Sequence, residues 1–123
     1  MQLVEYGKPL RLVEVPSPEV GTRDALVRIR SCGVCHTDVH LQEGSILRGS
    51  PPIILGHEMA GDVAAFGEDV DWLKEKMRVL VNYHYTCGRC RNCRVGLEEE
   101  CTNLVSSGVD GAVGYAVYVR APA

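Results

Sequence analysis

The stretch that decides the fold reads Cys87-Gly88-Arg89-Cys90-Arg91-Asn92-Cys93, and Cys101 follows it after seven residues. Two residues separate each of the first three cysteines, so the four thiolates can converge on one tetrahedral ion, as zinc prefers. Because four sulfurs fill every vertex, such a site leaves no position for water or substrate. We therefore predict a structural zinc lobe over about residues 84–104, which holds a loop together rather than doing chemistry.

A pair of disulfides is the alternative use of these four cysteines. An oxidising compartment would favour it, but only two residues lie between Cys90 and Cys93, and no secretory segment is visible. The first residues, Met1 to Glu5, lack the charged start and apolar run of a signal peptide, and no stretch approaches the roughly 20 apolar residues of a membrane helix. We expect a cytoplasmic protein with reduced thiols.

The length and charge of the chain limit its size class and its partners. A chain of 123 residues predicts one domain with a modest core. A net charge of −3 offers no basic surface of the kind that nucleic acid or an anionic membrane would need. We expect neither as a partner.

Most of the remaining chain has the composition of short strands. In the runs 10–15 and 25–30, charged side chains are interspersed among β-branched and aliphatic ones, which predicts half-buried strands. The prolines and glycine of 16–21 predict a loop between them. Further strand-like runs are 61–66, 79–83 and 116–119. The domain should therefore be mainly β, as a small barrel or sandwich.

A second set of metal-binding residue types lies in two other stretches. One is Gly33-Val34-Cys35-His36-Thr37-Asp38-Val39-His40, and the other is Gly56-His57-Glu58-Met59-Ala60-Gly61. A cysteine and a histidine from two loops, with carboxylates beside both, could form an open metal site that water or substrate completes. Residues scattered in this way are also common in purely structural roles, and their spacing does not decide between the two interpretations.

Taken together, these stretches resemble the zinc-containing medium-chain alcohol dehydrogenases. The resemblance rests on Gly-Val-Cys-His-Thr-Asp, on Gly-His-Glu-x-x-Gly and on the spacing of the four-cysteine lobe. It extends from Lys8-Pro9-Leu10 to Asp110-Gly111 and the segment 114–116. It implies that residues 1–123 form the family's catalytic domain, a GroES-like, partly open β-barrel with short helices.

The resemblance also implies a role for each residue of the second set. Cys35 and His57 are similar to the first two ligands of a catalytic zinc, and Glu58 to the carboxylate that can enter its shell. Asp38 resembles the carboxylate that orients the ligand histidine and raises its basicity. A simple turn or helix-cap residue is the alternative for Asp38.

A proton path is implied next to this site. Thr37 and His40 are three residues apart and would share one face of a helical turn. In the family, zinc lowers the pKa of the substrate alcohol's hydroxyl, and a side-chain hydroxyl and a histidine at these positions pass its proton to solvent. Hydride then passes from the alcohol to a nicotinamide. His36 resembles a residue that faces the cofactor phosphates. It could equally face solvent, as could His84, to which we assign no role.

The other half of such an enzyme is not recognisable in this chain. There is no Gly-x-Gly-x-x-Gly between a strand and a helix and no alternating βαβ pattern. We expect the nucleotide-binding (Rossmann) domain and one further zinc ligand to be absent, so that NAD or NADP binds only if that domain is supplied. A catalytic domain for a small alcohol or carbonyl substrate, inactive alone, is therefore predicted. A free-standing zinc-binding domain without redox activity is the alternative, and a homo-oligomer remains open.

Two positions depart from the family pattern. Lys76-Met77 stands where the family usually has a Gly-Asp turn before an Arg-Val strand, so this turn must be built differently. Val117 stands where the family often has a glutamate. Neither position touches a proposed ligand.

Overall fold

The computed structural model describes residues 1–46, 49–107 and 114–123, so Asp110-Gly111 lies outside the described residues. Most of its regular structure is β-strand. The strands are β1 (Gln2–Leu3), β2 (Asp24–Gly33), β3 (Ile53–Ile54), β4 (Glu58–Phe66), β5 (Arg78–Val81), β6 (His84–Tyr85), β7 (Val105–Ser106) and β8 (Tyr118–Pro122). The helices are α1 (His36–Glu43), α2 (Arg91–Arg94) and a 3₁₀ turn at Glu98–Glu100. Across the described residues, no helix has the length and apolar character that a membrane crossing requires.

Four antiparallel strands form the central sheet in the order β5-β4-β2-β8. Its two long strands, β2 and β4, shift register between the pairs Ile29↔Gly61 and Ser31↔Ala60, where β2 carries one extra residue. Such a bulge bends the strand and increases its twist. Gly61 is required at this bend, since a Cβ there would lie 2.2 Å from the Arg28 carbonyl oxygen.

The apolar core has three parts. Two of them pack on the sheet; they consist of Ala25, Val63, Val70 and Leu73, and of Val27, Met59 and Val119. The third joins Leu3 of β1, Leu41 of α1 and Leu55 of the loop before β4. Because Leu41 and Leu55 pack in one cluster, α1 is held against the loop that leads to His57.

The mainly β prediction is confirmed, but one predicted strand is wrong. The runs 25–30 and 61–66 lie inside β2 and β4, residues 79–81 lie in β5, and β8 begins two residues into the run 116–119. In the run 10–15, only Arg11 pairs, in an isolated bridge with Gln2. The two charges of that run, Arg11 and Glu14, are three residues apart and so lack the period of two, and Leu12 is 85% exposed.

The turn before β5 is formed by Lys76, which adopts a φ of 63°. This left-handed conformation favours glycine, and any other residue adopts it at a cost of about 1–2 kcal/mol. The Lys76 N–H donates to the Val63 carbonyl at 2.8 Å, and the Val63 N–H donates to the Met77 carbonyl at 2.9 Å. The turn is therefore present without a glycine, and its hydrogen bonds to β4 offset the strain.

Candidate metal centres

The four cysteines of the predicted lobe converge in the structure. Ligand atoms from Cys87, Cys90, Cys93 and Cys101 all lie within 4.8 Å of one another. Cys90 is the N-cap of α2, where its sulfur accepts the Cys93 N–H at 3.5 Å. Further backbone N–H groups donate to the sulfurs of Cys87 and Cys101 at 3.3–3.4 Å. Local turns of the chain therefore point all four sulfurs inward.

The surroundings of these thiols shift their pKa values in opposite directions. Backbone N–H groups, that of Cys93 first, lower the pKa of Cys90 to about 5. Burial and the neighbouring Cys90 sulfur raise the pKa of Cys93 to about 12. Four thiolates this close cannot all ionise without a positive charge between them. A set of four sulfurs fits one tetrahedral zinc ion, so the chain offers the donors that a closed zinc site needs.

The disulfide alternative is not adopted. The sulfurs of Cys90 and Cys93 are 3.4 Å apart, whereas bonded sulfurs lie about 2.05 Å apart. The six cysteines, all in the described ranges, are free thiols. The lobe thus keeps the reduced sulfurs that metal binding requires.

The second set of residues also converges. Ligand atoms of Cys35, His57 and Glu58 lie within 4.8 Å of one another. The register of the central sheet causes this, because Gly33, at the end of β2, pairs with Glu58, at the start of β4. Gly33 also leaves room for the carboxylate, since a Cβ there would lie 2.1 Å from Glu58 Oε2. Sulfur, nitrogen and oxygen donors on one side, with Glu58 exposed to solvent, fit an open zinc site.

Asp38 lies beneath this site and is 5% exposed. Its Oδ2 accepts the Cys35 N–H at 2.9 Å, and its Oδ1 accepts the Gly56 N–H at 3.0 Å. The same Oδ1 lies 3.7 Å from Nδ1 of His57. Both interpretations of Asp38 therefore hold geometrically, because the carboxylate caps α1 and also faces the ring of a candidate ligand.

The predicted helical turn after Cys35 is present as α1, so Thr37 and His40 share a helix. Thr37 Oγ1 lies 3.7 Å from the Cys35 sulfur. The ring of His40 contacts that of His36, with centroids 5.1 Å apart, and His36 is exposed. The helix satisfies the geometric requirement of the proton path, and the path itself stays a prediction.

His84 is not the free solvent-facing histidine that we considered. Its Nδ1 lies 2.9 Å from Glu99 Oε2, and its side chain is 21% exposed. Its ring also contacts that of Tyr83, with centroids 4.0 Å apart. His84 therefore links β6 to the acidic turn of the lobe.

Sequence reasoning missed two tyrosines at the open site. The ring of Tyr83 lies 5.8 Å from that of His57, centroid to centroid. The hydroxyl of Tyr115 donates to Asp38 Oδ2 at 3.0 Å. Tyr115 is far from Asp38 in the chain and belongs to no spacing pattern with it, so nothing in the local sequence signals the contact.

Comparison with known proteins gives a consistent match. The protein-family model of the alcohol dehydrogenase GroES-like domain matches residues 21–123 of the sequence. The chain is 34% identical to an NAD-dependent alcohol dehydrogenase of Sulfolobus acidocaldarius, over 99% of this chain and 37% of that protein. It is 41% identical to an L-threonine 3-dehydrogenase of an Enterobacter species, over 91% of this chain and 34% of that protein.

A solved structure also matches this chain. It is the cobalt- and zinc-bound thermostable alcohol dehydrogenase from Pyrobaculum aerophilum, with a TM-score of 0.85, 30% identity, and coverage of 99% of this chain and 39% of that chain. The chain thus spans about a third of the length of the curated relatives it matches.

Proposed function

The chain belongs to the alcohol dehydrogenase GroES-like domain family, and from this premise we propose that it is the catalytic domain of a zinc-dependent enzyme that oxidises alcohols with NAD or NADP. The observation that carries the proposal is the meeting of Cys35, His57 and Glu58 above a buried carboxylate. The products would be aldehydes or ketones. Because the relatives are about three times as long, we assign the complete activity to a larger enzyme of which residues 1–123 form one domain.

We propose two zinc sites with different tasks. Cys87, Cys90, Cys93 and Cys101 would hold a structural ion, and Cys35, His57 and Glu58 a catalytic one. A zinc ion held there would act as a Lewis acid and lower the pKa of an alcohol hydroxyl. The exposed position of Glu58 leaves that site accessible to a small molecule.

The other residues of the site would orient ligands and move a proton. Asp38, whose Oδ1 lies 3.7 Å from Nδ1 of His57, would orient that ring. Thr37, beside the Cys35 sulfur, would accept the proton of the substrate hydroxyl. His40, one helical turn further, would pass it to solvent, since an imidazole can both accept and release a proton.

Cofactor binding needs more than this chain. We propose that His36, exposed at the start of α1, faces the phosphates of a nicotinamide cofactor held by a nucleotide-binding domain outside residues 1–123. The relative from Sulfolobus acidocaldarius is described as NAD-dependent, which supports a nicotinamide as the hydride acceptor. Reduced thiols in the lobe support a cytoplasmic location. A homo-oligomer stays a prediction.

A free-standing zinc-binding domain without redox activity is less well supported. Such a domain would need the four-cysteine lobe alone. It would give no reason for Cys35, His57 and Glu58 to bring three ligand atoms within 4.8 Å of one another at a second place. The open site therefore favours the enzyme.

A chimera tests the proposed function. Residues 1–123 replace the corresponding first third of the Sulfolobus acidocaldarius relative, and alcohol-dependent reduction of NAD is followed by absorbance. We expect turnover that is lost in a Cys35→Ala chimera and kept in a Cys32→Ser chimera. A folded chimera with two bound zinc ions and no turnover on primary or secondary alcohols would contradict the proposal.

A further inference from the structure

Tyr115 contacts the open site, although it belongs neither to a proposed set of metal ligands nor to the proposed proton path. Its hydroxyl lies 3.0 Å from Asp38 Oδ2 and 3.3 Å from the Gly33 carbonyl. The Tyr115 N–H donates to the Leu55 carbonyl at 2.9 Å, and the Gly114 N–H donates to the Gly56 carbonyl at 3.0 Å. The segment 114–115 is thus paired with the two residues that precede His57.

The ring of Tyr115 also packs on this segment. A Cβ at Gly56, whose φ is 95°, would lie 2.8 Å from Cδ1 of the ring. The ring joins the apolar cluster of Leu3, Leu41 and Leu55 as well. Tyr115 is therefore fixed by its backbone and its ring, so its hydroxyl reaches Asp38 from a constant direction.

The hydroxyl completes the hydrogen bonding of the buried carboxylate. A carboxylate has about four lone pairs, two on each oxygen. Oδ2 accepts the Cys35 N–H and the Tyr115 hydroxyl, while Oδ1 accepts the Gly56 N–H and faces His57 Nδ1. Three of these positions are hydrogen-bonded and the fourth faces the imidazole at 3.7 Å, so the carboxylate cannot rotate without losing a bond in a buried place, which is costly.

We propose that Tyr115 is a positioning residue for the open metal site, acting through Asp38 to hold His57 in the orientation that binds metal. This inference rests on the proposed function, since it assigns a task to a residue behind the proposed zinc ligand. Removing the hydroxyl frees one lone pair of Oδ2 and allows the carboxylate to turn away from the imidazole. Burial, together with the bond to Asp38, raises the pKa of Tyr115, so the hydroxyl stays a donor at neutral pH.

The test compares Tyr115→Phe with Tyr6→Phe in the 123-residue chain. Phenylalanine keeps each ring and removes one hydroxyl, and Tyr6 is a matched control because its ring packs on the same cluster while its hydroxyl donates to Gly49 instead, at 2.8 Å. With zinc in the lobe, the open site is titrated with Co²⁺ and followed by its visible absorption. Partners one step behind a metal ligand typically change affinity 10–100-fold, and Tyr115 is one step further away.

We expect Tyr115→Phe to weaken Co²⁺ binding at the open site by about three- to tenfold and to shift its absorption, with the lobe unaffected. Tyr6→Phe should leave both sites unchanged. In an Asp38→Asn background, Tyr115→Phe should change the affinity by less than about twofold, because the contact it removes has already been altered.

Three outcomes would overturn the inference. One is an unchanged affinity and spectrum in Tyr115→Phe, and another is an equal loss of affinity in the parent and Asp38→Asn backgrounds. Equal weakening of the lobe and the open site would indicate a general structural effect and would also contradict it. Absence of Co²⁺ binding at the open site of the parent chain would remove the proposed metal centre itself, a result distinct from the other three.

Discussion

The two cysteine-containing regions differ in what holds their ligands together. In the lobe, the four sulfurs come from one short stretch, and neither α2 nor the 3₁₀ turn contains a buried residue. At the open site, the ligands come from two stretches joined by the β2–β4 register, and Asp38, Leu41, Leu55 and Met59 are buried around them. We therefore expect the lobe to depend on a metal ion for its structure, and the open site to be structured by the protein and to bind metal without needing it to fold.

Among the residues that the structure describes, the open site contains groups that could polarise an alcohol but none that would position a cofactor. Holding a nicotinamide within about 3.5 Å of the carbinol carbon can by itself lower the barrier by roughly 7–11 kcal/mol. We expect the zinc-loaded 123-residue chain, without a nucleotide-binding domain, to oxidise alcohols with NAD or NADP at close to the uncatalysed rate. The measurement is the absorbance of reduced nicotinamide with a panel of primary and secondary alcohols. Turnover that a Cys35→Ala variant lacks would show that the chain holds the cofactor after all.

Loss of one lobe ligand should have the next largest effect. Cys93→Ser should release one zinc per chain and leave the lobe disordered, because zinc binding contributes about 10–16 kcal/mol in zinc-finger peptides and little else is buried here. Zinc content and amide hydrogen exchange across residues 84–104 measure the change. Cys32→Ser is the control, since Cys32 belongs to neither ligand set, and it should keep both metals. An intact lobe with unchanged metal content in Cys93→Ser would refute a structural zinc there.

Loss of an open-site ligand should remove metal without disordering the fold. His57→Ala should abolish the weaker of two steps when zinc is removed by dialysis against a mild chelator, because the site has three candidate protein ligands and the lobe has four. The melting temperature of the metal-free protein should change little. His84→Ala is the matched control, and both steps should persist in it. Zinc release in two steps from His57→Ala, or two ions of equal affinity in the parent chain, would contradict the expected difference between the lobe and the open site.

The smallest expected effect is a change in folding stability at Lys76, which lies outside both metal-binding regions. Lys76→Gly should stabilise the protein by roughly 0.5–1 kcal/mol, since glycine relieves the left-handed φ of 63° but costs more entropy on folding. Lys74→Gly, in the same loop, should destabilise it slightly. Thermal unfolding of the zinc-loaded proteins compares the two. Destabilisation by Lys76→Gly would show that the lysine side chain contributes more than its backbone strain costs.

Local spacing was enough to predict the lobe and the general architecture. The positions of Cys87, Cys90, Cys93 and Cys101 lie so close in the chain that short turns alone bring their sulfurs together. The strands at 25–30 and 61–66 followed from composition in the same way. The run 10–15 had a similar composition without an alternating pattern, and neither of its faces is buried in a sheet, so that prediction failed.

The chain by itself thus determined which residues could bind metal, and the tertiary structure alone decided how the open site is assembled. The register that pairs Gly33 with Glu58 is set by packing along the whole of β2 and β4, including the extra residue in β2. The hydrogen bond from Tyr115 to Asp38 joins residues far apart in sequence. Contacts of this kind depend on many distant residues at once, because the entropy of closing long loops is recovered only when the core forms, and no short pattern records them.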